Sequence, residues 1–295
     1  MAERADFTSS LTKYTRGRRK LAVRLWGVRG SIACGGPDYA RYGGNTSCVE
    51  VNASGRTLIF DCGTGLRPLG NVLERERPFE ADIFLSHTHV DHIVGLPFFT
   101  PLYHPENYFR LWSGHLAGEG QTKAAIQALM AAPIFPVDPH IFKAKVEFRD
   151  FNSGDTIEIV PGLSVQTAGL NHPNGATGYR VECEGAVFAY VTDTEHHQGT
   201  LEDAALALMK DADVAIYDAT YTDDEYPKFR GFGHSTWQEG LKLAVSAGVK
   251  TLVLFHHDPA HTDKLLGKIE REASRAGRRH KIAVVAAREG MVFRL

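Results

Sequence analysis

The chain reads as two blocks of short apolar runs, with amphipathic stretches set between and after them. In the first block, Leu21 to Trp26, Cys48 to Asn52, Thr57 to Phe60 and Ala81 to Leu85 are rich in aliphatic and aromatic residues and bounded by turn formers, which predicts strands. Ala53-Ser54-Gly55-Arg56 reads as a hairpin, and Asp61-Cys62-Gly63-Thr64-Gly65 as a glycine-rich turn into a short helix. The second block predicts strands at 146–148, 156–160, 163–169, 177–183 and 186–192, with Glu184-Gly185 turning the last pair. Helical periodicity falls at about 122–131, 200–210, 236–247 and 263–276, and apolar strands at 213–217 and 250–255 lie between the later helices. Lys281 to Val285 and Met291 to Phe293 close the chain. Two strand-rich halves with interleaved helices predict an α/β fold, a four-layer αββα sandwich in one domain over 20–295, with 1–19 a basic flexible tail.

Composition leaves this picture in place. With 43% hydrophobic and 23% charged residues, the 295-residue chain is an ordinary globular protein with ample core. A net charge of −2 provides no global basic field for nucleic acid. No apolar stretch is long enough to span a membrane, and Arg24 and Arg29 interrupt the signal-like approach to Cys34. Cys34, Cys48, Cys62 and Cys183 contain no CxxC pair and read as reduced thiols of a cytoplasmic protein.

The chemistry concentrates in Ser86-His87-Thr88-His89-Val90-Asp91-His92, directly after the strand ending at Leu85. Side chains alternate along an extended chain, so His87 and His89 point the same way, while the following turn aims Asp91 and His92 at a neighbouring point. Four ligands from one tight loop would crowd a single tetrahedral ion, and the geometry suits two adjacent ions. Other strand ends offer completing groups: His172 after the strand to Leu170, Asp193 after the strand to Thr192, and His256 or His257 after the strand to Phe255. His256 ends the apolar run directly and is the preferred candidate of the two. A His/Asp donor set without Cys admits zinc, manganese or iron.

The pattern HxHxDH resembles the signature of the metallo-β-lactamase superfamily. The stretches LWGVRGSIACGGPDYARYGGNTSCVEV, IFDCGTGLRPLG, FLSHTHVDHIVGLPFF, IYDATYTDDEYP and GFGHSTWQEG look like a bacterial branch related to ribonuclease Z, which includes cyclic-nucleotide phosphodiesterases. The resemblance implies the metallo-β-lactamase fold and two divalent transition-metal ions, zinc first among them. His87, His89 and His172 would hold one, Asp91, His92 and His256 the other, and Asp193 would bridge them. It places Asp61 behind the ligands, fixing an imidazole's tautomer. It makes His234, in Gly233-His234-Ser235-Thr236, a group that stabilises or protonates the transition state, with Asp91 orienting the nucleophile. Locally, Ser235 or Thr236 can cap the helix that starts near Trp237. Arg29, Asn45 and Thr46 stand in glycine-rich loops as expected substrate contacts.

The long arm by which ribonuclease Z grips tRNA has no counterpart between His115 and Asp150, where positive charge is sparse. The expected reaction is therefore hydrolysis of a small phosphodiester, such as a cyclic nucleotide or a short nucleic-acid end, by water activated between the two ions. The alternatives are a same-fold hydrolase of a lactone or thioester, and a ribonuclease Z-like RNA-processing nuclease. The resemblance and the apolar segment Phe98 to Tyr103 also predict a homodimer.

Overall fold

The computed structural model describes residues 3–4, 11 and 21–295, apart from Arg77, Ala117, Glu119 and Gln198. Most of the basic segment 1–19 therefore lies outside the described residues. Of that segment, β1 (Glu3–Arg4) pairs with the last strand and Leu11 is buried beside Ala22 and Val292.

In chain order the remaining strands are β2 (Leu21–Gly27), β3 (Cys48–Ala53), β4 (Arg56–Phe60), β5 (Glu80–Leu85), β6 (Tyr108–Ser113), β7 (Lys145–Asp150), β8 (Thr156–Val160), β9 (Leu163–Leu170), β10 (Ala176–Cys183), β11 (Ala186–Val191), β12 (Val214–Asp218), β13 (Thr251–Phe255), β14 (Ala283–Ala286) and β15 (Met291–Arg294). The helices are α1 (Leu66–Leu73), α2 (Val90–Ile93), α3 (Gln121–Leu129), α4 (Asp203–Met209), α5 (Trp237–Ala247) and α6 (Asp263–Arg278). One sheet runs β1-β15-β2-β3-β4-β5-β6-β7, the other β14-β13-β12-β11-β10-β9-β8.

Period-two alternation decides which layer each side chain enters. On β12, Val214 and Ile216 face the other sheet, while Ala215 and Tyr217 face the helices. On β13, Val253 and Phe255 go inward, and Leu252 and Leu254 go outward. The inter-sheet core gathers Phe60, Phe84, Tyr179, Phe188 and Tyr190. A second core seals α1 and α3 onto the first sheet, and a third seals α4, α5 and α6 onto the second. The result is the αββα sandwich that the pattern predicts.

Strand β6 is an addition to the predicted elements. Its residues alternate between half-buried and buried, but Arg110 breaks the apolar pattern. The structure explains Arg110: its guanidinium makes two bonds, at 2.5 and 2.6 Å, to the fully buried carboxylate of Asp82 on β5.

For function the decisive feature is strand direction. Strands β4 to β7 are mutually parallel, as are β11 to β14. Their carboxyl ends bring Asp61, His87, Asp193, Asp218 and His256 to one end of the sandwich, where open α/β sheets characteristically place ligands.

Candidate metal centre

Three of these strand exits turn through the left-handed region: Asp61 at φ 62°, Asp193 at φ 56° and His256 at φ 60°. Such angles are uncommon for non-glycine residues, though Asp and His are among those that tolerate them, and they cluster at functional sites. Each turn swings its side chain off the strand line, Asp193 and His256 into the His/Asp cluster and Asp61 against His92 behind it. His89 stands at the amino end of α2, and its carbonyl accepts the amide of His92 at 3.0 Å, so one short turn presents His89, Asp91 and His92 together.

Two groups of ligand atoms result. In the first, His87 Nε2 lies 2.8 Å from His89 Nδ1, which lies 3.1 Å from His172 Nε2. Asp193 Oδ1 stands 3.8 Å from His87 Nε2 and 3.9 Å from His172 Nε2. In the second, His92 Nε2 is 3.2 Å from Asp91 Oδ2 and 3.4 Å from His256 Nε2, and His256 Nε2 is 3.3 Å from Asp91 Oδ2. Asp193 reaches this group too, at 3.3 Å from His92 and 3.2 Å from His256. Ligand atoms ~2.0–2.1 Å from a tetrahedral ion stand roughly 3.3 Å apart; the second group keeps this spacing at 3.2–3.4 Å, and the first brackets it at 2.8–3.9 Å. The structure thus assembles His87, His89, Asp91, His92, His172, Asp193 and His256, and these His/Asp groups can hold divalent metal ions.

The electrostatics agree with that chemistry. Burial first, then the neighbouring imidazole of His92, pushes His87 well below its ordinary value; burial likewise lowers His89 and His172. All three therefore offer neutral rings with free lone pairs. Burial would raise Asp91 and Asp193, but His92 and His256 hold both carboxyls below the usual range. His92 faces Asp193, Asp91 and Asp61, which drive it well above its ordinary value against the effect of burial. A pocket with three buried carboxylates around one imidazole demands positive charge.

The ligands are held from behind. Asp61 Oδ2 accepts His92 Nδ1, Ser86 Oγ and Tyr190 OH, each at 2.8 Å, and Oδ1 accepts the Ser86 amide at 2.7 Å. His92 is thereby fixed with a proton on Nδ1 and with Nε2 turned to the cluster, where a metal ion would replace the second proton. His172 Nδ1 donates to the Gly233 carbonyl at 2.8 Å, and His256 Nδ1 lies 3.0 Å from Thr220 Oγ1. Two glycines are required by close approach. A Cβ on Gly30 would stand 2.2 Å from the His256 ring, and one on Gly233 would stand 2.3 Å from His172 Nδ1.

His234 sits at the edge of this cluster, its ring stacked on His256 with centroids 4.7 Å apart. Nδ1 donates to Asp218 Oδ2 at 2.9 Å. Burial opposes the imidazolium, but the Asp218 carboxylate outweighs it and raises His234 to about 9. Thr236, not Ser235, caps α5, accepting the Glu239 amide at 3.2 Å. Ser235 Oγ instead meets Tyr217 OH at 3.0 Å and His196 Nδ1 at 2.8 Å.

Asp218 escaped the sequence reading. It is fully buried and accepts the amides of Asp193, Thr220 and Ser235 as well as His234, so it ties three loops of the centre together. Glu195 has a similar place, accepting the amides of Gly231 and Gly233 and so shaping the loop before His234.

Arg29, expected to meet substrate, has a different job. Its side chain is fully buried and donates to the carbonyls of Gly43, Asp258 and His261, pinning three loops. Asn45 donates to Glu289 Oε2 and accepts from Thr64 Oγ1, while Thr46 Oγ1 accepts the Thr64 amide. Both are committed to joining neighbouring loops. His257 faces away from the cluster, donating Nε2 to the Ala287 carbonyl at 2.9 Å, and burial lowers it to about 3.

Comparison with known proteins places this arrangement. Residues 56–257 match the family model described as "Beta-lactamase superfamily domain". The ribonuclease Z of Haloarcula marismortui is 26% identical over 256 residues, spanning 72% of this chain and 80% of that protein. The metallo-β-lactamase fold protein YhfI of Bacillus subtilis superposes with a TM-score of 0.71 at 18% identity, covering 94% of this chain and 100% of that one. A diphosphatase of the PhnP family superposes at 0.67, also at 18% identity, covering 94% and 98%. The matched span takes in every strand that ends at the cluster, and the chain belongs to the β-lactamase superfamily.

Proposed function

We infer that this superfamily hydrolase is a dinuclear metal-dependent phosphodiesterase acting on a small phosphodiester or a nucleic-acid end. His87, His89 and His172 would hold one divalent ion, with zinc preferred over manganese or iron, and Asp91, His92 and His256 the second. Asp193 lies within reach of both groups. When bound, such ions supply Lewis acidity to phosphoryl oxygens and acidify water.

The chain's own residues do the rest. Asp91 Oδ2 accepts the Ser31 amide at 2.8 Å, which orients its carboxylate across the mouth of the second group. Asp61 and Thr220 hold His92 and His256 in register, so the ligand atoms need not reorganise during reaction. With Nδ1 tied to Asp218, His234 has Nε2 left for a substrate oxygen. Protonated at neutral pH, it can stabilise charge on the phosphoryl group or protonate the departing alkoxide.

The observation that carries the reading is this charged His234–Asp218 pair beside the ligand atoms. A lactone or thioester hydrolase of the same fold has no need of a second cationic donor there. The names of ribonuclease Z relatives and of the PhnP-family diphosphatase, which denote cleavage of phosphate linkages, point the same way. Hydrolysis of bis(p-nitrophenyl) phosphate, abolished by chelator and restored by added metal, tests it. Turnover of lactones or thioesters without phosphodiester cleavage would refute it.

Two further elements belong to the proposal. Phe98 is 52% exposed while Leu102 is buried, and we place a homodimer contact at Phe98, to be tested by light scattering of a Phe98→Asp variant. A cytoplasmic location is tested by fractionation. Among the described residues no helix is long and apolar enough to cross a membrane.

A further inference from the structure

The outer face of α6 carries positive charge that the metal centre does not use. At 3.6 residues per turn, Lys264, Lys268, Arg271, Arg275 and Arg278 repeat every three or four positions and fall on one side, with Arg279 beside them. All six are exposed. Leu266, Ile269 and Ala273 on the opposite side are buried in the core under the second sheet.

The acids of this helix leave the stripe largely unneutralised. Asp263 accepts the amides of Arg41 and Tyr42, and Glu270 accepts Tyr42 OH and pairs with Arg288. Glu272, at the stripe's edge, stands 4.0 Å from Lys268 Nζ. Solvated helix faces ordinarily mix signs, because like charges one turn apart repel. Here, Glu272 at the edge apart, they are of one sign in a chain whose net charge is −2. Arg41, whose guanidinium stands 4.0 Å from Glu270, lies beside the amino end of the stripe: the Nη1 atoms of Arg41 and Arg271 are both 3.5 Å from where a Cβ would stand on Gly267.

A second feature adjoins the first. Phe232, 60% exposed between two glycines, lies edge-on to Phe229 at 5.9 Å. Phe229 stacks on Tyr221 at 4.6 Å and 8°, and Tyr221 meets the His234 ring at 6.1 Å. This aromatic shelf thus leads to the metal centre. His261, in the loop that enters α6, bonds Glu225 in the shelf's own segment at 2.9 Å, which ties that segment to the amino end of the stripe.

We propose that α6 and the Phe232 shelf form a track for single-stranded nucleic acid, with phosphates on the basic stripe and an unpaired base on Phe232. Regularly spaced cations follow a phosphate backbone, and an exposed aromatic face receives a base of any sequence. An anionic membrane fits less well, because the apolar side of α6 is already packed inward and has nothing to insert. That the track delivers a strand end for cleavage rests on the phosphodiesterase reading; the binding does not.

The test uses the metal-loaded protein and a fluorescein-labelled oligouridylate of about twelve nucleotides, followed by anisotropy from low to moderate salt. Five phosphate contacts predict a slope of log affinity on log salt near −3.5, at about −0.7 per phosphate. Replacing Lys268, Arg271 and Arg275 together by Gln should reduce that slope by about 2. Phe232→Ala should weaken binding about tenfold and leave the slope unchanged. Both variants should cleave bis(p-nitrophenyl) phosphate as the parent does, which separates the track from the centre. If the parent binds the oligonucleotide no better than the triple variant does, or if the triple substitution removes binding to phosphatidylserine vesicles and not to RNA, the track is refuted. A parent that binds RNA with the expected slope yet cleaves no phosphodiester would overturn the catalytic reading and leave the track standing.

Discussion

Asp61→Asn tests whether the centre is fixed from behind as the structure describes. Asn tolerates the left-handed φ of 62° as Asp does, so the backbone is spared. The new NH2 must occupy one of the two oxygen positions. Placed at Oδ2 it would oppose three donors, so it takes Oδ1 and meets the Ser86 N–H. That buried donor then lacks a partner, which costs about 1–3 kcal/mol. The three remaining bonds lose their charge assistance, at about 1 kcal/mol each, for a total of about 4–6 kcal/mol. His92 also loses the anion that keeps its proton on Nδ1, and metal affinity should fall about 10- to 100-fold. Urea unfolding with unchanged m-value reads the first quantity, and competition titration with a chromophoric chelator reads the second. Tyr190→Phe, which removes a single donor to the same carboxylate, should cost only about 1.5–3 kcal/mol. An Asp61→Asn protein within 1 kcal/mol of the parent, with metal affinity unchanged, would show that Asp61 is not the anchor.

Other outcomes are as specific. His234→Ala should lower kcat about 10²- to 10⁴-fold with little change in KM and no loss of metal, and p-nitrophenolate release should suffer least if the role is acid catalysis. Elemental analysis should find close to two transition-metal ions per chain, and Asp193→Ala should weaken both, because its carboxylate reaches both groups. Gly233→Ala should disable the centre through both its φ of 84° and a Cβ driven into His172; wild-type activity in that variant would contradict the packing described.

Much of this centre was legible in the sequence, because its ligands sit at the ends of apolar runs. A strand ending in His or Asp announces itself locally, as His87, Asp193 and His256 do. Even the choice between His256 and His257 follows from where the apolar run stops, since the next residue along the backbone turns to the other side. Asp218 was not legible, although it too ends a strand. Its importance comes from amides and an imidazole contributed by distant loops. Arg29 was misread for the matching reason: a cation in a glycine-rich loop looks free until three remote carbonyls close on it. The charge of α6 was hidden by a net value near zero, which averages over the helix period that concentrates it.

The candidate ligands divide between the two sheets. His87, His89, Asp91 and His92 follow β5 in the first, while His172, Asp193 and His256 follow β9, β11 and β13 in the second. Any ion bound across that division fastens the halves of the sandwich and stabilises only the folded chain. Scarcity of metal would then be felt as faster turnover as well as lost catalysis, since proteases sample the fraction that opens. The protein's lifetime in the cell should therefore report the metal supply, and its abundance should rise and fall with it at constant synthesis.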